Sequence, residues 1–460
     1  MAKSQLESHN PSSEALLKTY DEDSPPLVAK KIADAHRAWL EWSQLSVVER
    51  TKVLNPLAEE LRVKKGELAR LAADEMGKPL AQGIAEVEKC AWLCEHLAKT
   101  SENLLKDEQI PTEARSSYVT FRPLGVILGV MPWNFPYWQV FRFAVPALAA
   151  GNIALLKHAS NVTGCSIAIE NLFHKISPRI PLLQALLLSS SKIAHVISDP
   201  VIQGVALTGS TEAGKKVASA AGSHLKKTVL ELGGSDPYLI LEDADLEQAA
   251  DTCTNSRLIN SGQSCISAKR FIVVESVRER FEKIFVEKMR SKSFGDPLDP
   301  QSAIGPLARA DLRDELHRQV EQSLQAGAKL LLGGKIPANQ KGYFYPPTVL
   351  SGIRKGMRVG DEETFGPVAA VISAADEEEA IRIANESPFG LGAAVFTKNL
   401  ERGNRIAKLK LEAGNCFVNA FVKSDPRLPF GGIKESGYGR ELGAFGIHEF
   451  VNIKSVVVQA

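Results

Sequence analysis

The pattern that most restricts this chain is the succession of short apolar runs and amphipathic segments that fills it from "SSYVTFRPLGVILGVMPWN" onward. That segment, with its alternation and branched residues, predicts strands broken at Pro123 and Pro132. "IALLK" then reads as a strand and "NVTGCSIAIENLFHK" as a helix, "PLLQALLLS" as a strand and "SKIAHVI" as a short helix. "GVALTG", "STEAGKKVASAAG" and "KKTVLELGG" continue as strand, helix and strand. Such alternation implies a mostly parallel sheet covered by helices, an α/β fold. A second set begins with "FIVVES" and "SVRERFEKIFVEKMR" and runs through "PVAAVIS", "EEEAIRIANE", "GAAVFT", "ERGNRIAKLK" and "AGNCFVN". In its first helix Ser276 and Glu279 have capping-box spacing, and Val277, Phe281, Ile284 and Phe285 form a buried stripe. Residues 27–104 show helical spacing instead. "IKSVVVQ" closes the chain as an apolar strand with no successor, the kind that pairs with another subunit's sheet. At 460 residues the chain exceeds one compact core, so two or three domains are expected, exchanging chain segments.

Charge narrows the function. Lys plus Arg total 55 and Asp plus Glu 54, so a general nucleic-acid or anionic-membrane surface is not expected. The first residues lack the apolar core of a signal peptide. The long apolar stretch "VFRFAVPALAAGNIALL" is interrupted by Arg142, Pro146, Gly151 and Asn152. A soluble cytoplasmic protein is expected. Its six cysteines include no CxxC pair, which argues against a disulfide scaffold or a zinc site.

Four stretches carry candidate chemistry. In "NSGQSCISAKR", Cys265 sits among small and polar residues, open to a substrate and close to cations that favour a thiolate. An ordinary loop cysteine fits the segment as well. In "VLELGGSDP", Glu231 ends a very apolar strand, where burial would raise its pKa and make it a usable base. Pairing with Lys226 or Lys227 is the alternative. In "MPWNFP", Asn134 offers an amide donor for an oxyanion, or else caps the helix that starts near Pro136. In "VALTGSTEAGKK", Gly209 and Ser210 precede a helix whose first amides suit a phosphate, although the GxGxxG spacing is absent and simple capping reads equally well. Lys157 closes a strand where α/β sheets bind ligands, unless it is a solvated surface lysine. Glu363 of "EETFGP" could accept from ribose hydroxyls, or belong to an exposed acidic loop.

Taken in order, "PWNFP", "GSTEAG", "LELGG", "GQSC", "EETFGP" and "PFGGIKESGYGRE" resemble the aldehyde dehydrogenase superfamily from about residue 25 to the end. The resemblance implies a Rossmann-type cofactor domain (1–104 and 124–233), an α/β catalytic domain (234–435) and a small β oligomerisation arm (105–123 and 436–460) of a homodimer or homotetramer. It implies that Cys265 attacks the aldehyde, that Asn134 and the Cys265 N–H hold the oxyanion, and that Glu231 activates the water that hydrolyses the thioester. Trp133, Gly209 and Ser210 would lie at the cofactor's pyrophosphate, Lys157 and Glu363 at its riboses, and Phe365 beside them. Ser160 stands where many NAD-preferring members carry a Glu that repels a 2′-phosphate, so NADP is expected, with NAD also accepted.

For the substrate, Arg142 and Ser424 occupy positions where succinate-semialdehyde dehydrogenases of this family bind the distal carboxylate, beside Trp138 and Phe421. A structural ion pair is the other reading of Arg142. One departure is Ile259, where some members have a second arginine; another is Ser267 in place of a vicinal cysteine. The expected reaction is oxidation of succinate semialdehyde with NAD(P)+. The alternatives are a broad-specificity aliphatic or aromatic aldehyde dehydrogenase, a cysteine hydrolase, and an inactive binding protein.

Overall fold

The computed structural model describes residues 5–459. Its first sheet has six strands, in spatial order Gly437–Tyr438, Lys227–Glu231, Ile202–Thr208, Val126–Met131, Ile153–His158 and Leu183–Ala185. All neighbours are parallel except the outer Gly437–Tyr438 strand. The chain starts in the middle, winds outward through Leu183–Ala185, then crosses back to Ile202–Thr208. The Val126–Met131 strand is therefore the point where the winding reverses, and a crevice opens beyond its carboxyl end. Trp133 and Asn134 follow that end directly. Gly129 lets the Trp138–Ala149 helix lie close on this strand, since a Cβ there would sit 2.3 Å from the Phe143 ring.

The second sheet has seven strands, from Lys329–Leu332 through Thr348–Ser351, Val368–Ala374, Ala268–Val274, Asp236–Ile240 and Gly392–Phe396 to Asn415–Val418. Only its first pair is antiparallel. An antiparallel ribbon of Glu108–Gln109, Ser116–Pro123 and Val451–Val458 stands apart from both sheets. The residues 437–438 that the resemblance put in this arm hydrogen-bond to the first sheet instead.

One local expectation changes, and one element is new. Ser276 does not cap a helix. The Ala268–Val274 strand runs straight into the Glu275–Arg290 helix, so Ser276 already lies inside it and no side chain caps its start. The segment before residue 25 also forms a hairpin, Gln5–His9 with Leu16–Asp21. Among the described residues no helix is long and apolar enough to cross a membrane.

Candidate active site

Cys265 sits in a turn between the two sheets, and its loop is shaped by backbone that most residues avoid. Asn260, Ser261 and Gly262 all have left-handed φ, at 52°, 58° and 76°. A Cβ at Gly262 would also fall 2.3 Å from the Gly366 backbone. Such a run costs energy and persists only where surrounding contacts hold it. They do so here. Arg257, fully buried, donates to Ala268 O at 2.9 Å and to Gly262 O at 2.6 Å, clamping both ends of the loop. Lys269 Nζ donates to Ser264 O at 2.9 Å and Cys265 O at 2.7 Å. Asn260 Nδ2 donates to Asn134 O at 2.7 Å and Gln263 O at 3.1 Å. Neither Arg257 nor Asn260 stands out in the sequence.

Asn134 is buried and its Nδ2 donates to Gln263 O at 3.1 Å, which leaves the second amide hydrogen free. It does not cap the following helix. That helix starts at Trp138, and its first N–H groups, on Tyr137 and Trp138, are taken at 2.8 Å by Glu86, itself paired with buried Lys78. The Cys265 N–H has no acceptor among the described residues.

Glu231 ends its strand fully buried, with neither carboxylate oxygen hydrogen-bonded. The lysine-pairing alternative does not hold, since Lys227 pairs with Glu449 at 3.0 Å and Lys226 binds backbone carbonyls. Its charged neighbours are Arg142, at 3.9 Å, Glu441 and Arg440. Burial pushes the Glu231 carboxyl well above the usual range, against the pull of Arg142. Burial likewise raises the Cys265 thiol to about 12, with Arg142 and Lys269 opposing.

Two cavities meet here, and Cys265 is the residue that lines both. The first, about 390 Å³, is bounded by Trp133, Asn134, Gly209, Ser210, Glu363 and Phe365. Ser210 caps the Thr211–Gly222 helix by accepting from Ala213 N at 3.3 Å, so the capping reading and the cavity position hold together. The N–H groups of Thr211 and Glu212 have no intrahelical acceptor and suit a phosphate. Gly233 and Gly234 allow the closest contacts: a Cβ would lie 2.6 Å from Glu363 Oε2 at one and 2.6 Å from Cys265 O at the other. Glu363 accepts from Gly234 N at 3.0 Å and lies 3.6 Å from Lys269. Lys157 and Ser160 stand farther along the same strand ends, Lys157 buried and Ser160 in the turn Ser160–Val162. The row of carboxyl ends from Ser160 past Trp133 and Ser210 to Glu231 fits an extended dinucleotide.

The second cavity, about 200 Å³, is walled by Trp138, Arg142, Phe421 and Ser424, with Lys89 and Ile259. Trp138 Nε1 donates to Ser424 Oγ at 3.1 Å. Arg142 is buried on a helix with no exposed face, and such a cation needs partners. It finds them in an ion pair with Glu441, in Glu231, and in the Phe430 ring at 4.7 Å. The structural ion pair is thus present. Glu441, although inside "GYGRE", carried no signal of this role.

A dinucleotide crevice joined at a cysteine to a small cavity walled by aromatic rings and cations defines an NAD(P)-type oxidoreductase acting through a thiol. The chain matches the aldehyde dehydrogenase family over residues 1–456, and it belongs to that family. It is 46% identical over 447 residues to a probable NADP(+) succinate-semialdehyde dehydrogenase of Synechocystis sp., covering 97% of this chain and 98% of that one. It is 45% identical over 416 residues to an NAD(P)+ succinate semialdehyde dehydrogenase of Escherichia coli, covering 90% of each. The structure of succinic semialdehyde dehydrogenase from Streptococcus pyogenes in complex with NADP+ superposes with a TM-score of 0.96 at 35% identity, covering 99% of this chain and 100% of that one.

Proposed function

We propose that this enzyme oxidises succinate semialdehyde to succinate, with NADP preferred and NAD accepted. The observation that carries the reading is the single residue, Cys265, shared by the cavity at the parallel strand ends and a small cavity with Arg142 and Lys89 in its wall. The Cys265 thiolate adds to the aldehyde carbon. The oxyanion accepts from the free Asn134 amide hydrogen and the Cys265 N–H. When bound, the oxidised nicotinamide supplies the two-electron acceptor, and its positive ring adds to the charges that favour the thiolate. What remains on Cys265 is a thioester. Glu231 takes a proton from the water that attacks it, releasing the acid and the thiol. Lys157 and Ser160 are assigned to the adenosine ribose and its 2′-phosphate, and Glu363 to the other ribose.

On the same reading the enzyme is a cytoplasmic homodimer or homotetramer. The terminal strand supports the oligomer, since Ile453 and Val457 are 61% and 59% exposed on the ribbon's outer edge. The test is NAD(P)H absorbance on adding succinate semialdehyde or butanal with each cofactor. Higher kcat/KM for succinate semialdehyde with NADP is expected; equal values for both aldehydes would favour the broad-specificity alternative.

A further inference from the structure

We infer that Lys269, helped by Ser267, is a positioning residue for the oxyanion: it loads the carbonyl of the Ser264–Cys265 peptide and so strengthens the Cys265 N–H as a donor. The inference rests on the reading above that the Cys265 thiolate attacks a carbonyl group.

The Ser264–Cys265 peptide is lopsided. Its oxygen accepts from Lys269 Nζ at 2.9 Å, from Ser267 Oγ at 2.9 Å and from Ser267 N at 3.3 Å. A carbonyl oxygen has two lone pairs, so three donors crowd it. The N–H at the other end of the same peptide belongs to Cys265 and has no acceptor among the described residues. The peptide is conjugated, so donors that draw electron density onto its oxygen leave its N–H more positive. Hydrogen bonds in a chain polarise one another in this way, and a charged donor does so most. Lys269 also donates to Cys265 O at 2.7 Å. One side chain therefore pins both peptide planes that flank Cys265, and with them the direction of its N–H.

The geometry also fixes the form of Lys269. It is fully buried at the start of the Ala268–Val274 strand. Its Nζ faces Ser264 O, Cys265 O and, at 3.3 Å, Ser267 O. Three acceptors need three hydrogens, which only the ammonium has. Burial lowers the Lys269 pKa, and Glu363, 3.6 Å away, opposes that shift. A neutral side chain would brace the turn without the cost of a buried charge. What a charge adds is polarisation of the peptide it touches.

The test compares reactions of Cys265 that form an oxyanion with one that does not. With p-nitrophenyl acetate the sulfur adds to the ester carbonyl, p-nitrophenolate leaves and a thioester remains. With iodoacetamide iodide leaves and a thioether forms, with no oxyanion on the way. Both reactions use the same thiolate, so the ratio of their rates at one pH cancels any change in its amount. Both run without cofactor, so altered cofactor binding at Glu363 does not enter. Lys269→Met should lower the ratio of acylation to alkylation about 20-fold, part of the roughly 100-fold that a lost oxyanion donor costs. Ser267→Ala removes one donor from the same oxygen and leaves the buried charge in place. It should lower the ratio about threefold, the scale of one neutral hydrogen bond, and it decides the question if Lys269→Met does not fold. Alkylation in each preparation reports that Cys265 is still presented. An unchanged ratio in Lys269→Met, or in Ser267→Ala where the first variant does not fold, overturns the inference, even if both rates fall together. If Cys265→Ala releases p-nitrophenolate as fast as wild type, the reading of Cys265 as nucleophile has itself failed, and the inference with it.

Discussion

The two cavities that share Cys265 are built from different materials. The cofactor side draws heavily on backbone: strand ends, helix amides at Thr211 and Glu212 without intrahelical acceptors, and the close approach of Gly234 to Cys265 O. The substrate side is side chains delivered from remote segments, among them Lys89, Trp138, Arg142, Phe421 and Ser424. Main-chain donors recognise what every dinucleotide presents, and no single substitution replaces them. A wall of side chains can be rewritten one residue at a time. Chemistry therefore belongs to the shared junction, and specificity to the second wall. Substitutions at the junction should affect every aldehyde, and those on one wall only some.

The largest effect is expected at the junction. Cys265→Ala should lower kcat about 10⁵-fold or more for any aldehyde and either cofactor, the scale on which a lost nucleophile is felt. Steady-state absorbance checks it, and surviving turnover of butanal would break the division drawn above. Next is Glu231→Gln, with a loss of about 10³-fold in kcat as a general base is removed. Rapid mixing should still show a first-turnover burst of NADPH, because only thioester hydrolysis is blocked. The pH profile separates this from a structural defect. Glu231 works as a base only once deprotonated, and its pKa is raised well above 4.5. Turnover in wild type should therefore rise with pH along a limb displaced upward from the usual carboxylate range. In the Gln variant that limb should disappear.

How much of this could be read in the sequence follows the same division. The alternating strands and helices were legible because a parallel sheet buried on both faces leaves continuous apolar runs. "GSTEAG" and "LELGG" were legible because backbone sites need particular residues in sequence, as Gly234 shows by lying against Cys265 O. Lys89 and Ser424 were not legible as a pair. They are 335 positions apart, and neither has an unusual local context. Arg257 was hidden for a different reason. It reads as the polar face of a helix, yet it is fully buried because the Cys265 loop needs its carbonyls paired. Arg257→Met should leave Gly262 O and Ala268 O without that donor and loosen the loop. A turnover loss of about 10²-fold for all aldehydes is expected from displacing the nucleophile. A lowered Tm should accompany it; unchanged turnover would show that the left-handed run holds the loop unaided.

The smallest effect is expected where the cofactor wall stops being backbone. Ser160 starts a short turn after the Ile153–His158 strand, partly open to solvent, next to the end that carries Lys157. Ser160→Glu places a carboxylate where a 2′-phosphate would lie on the dinucleotide path. Burial lowers the Lys157 pKa from its ordinary value, and the new carboxylate would compete with the 2′-phosphate for that lysine. The ratio of kcat/KM for NADP to that for NAD should fall about tenfold, equivalent to about 1.4 kcal/mol. Since the position is partly solvated, salt should shrink the effect. The same variant should leave the preference between succinate semialdehyde and butanal where it was, because that choice is made on the other wall. A changed aldehyde preference would mean the two cavities are coupled through Cys265 rather than merely joined at it.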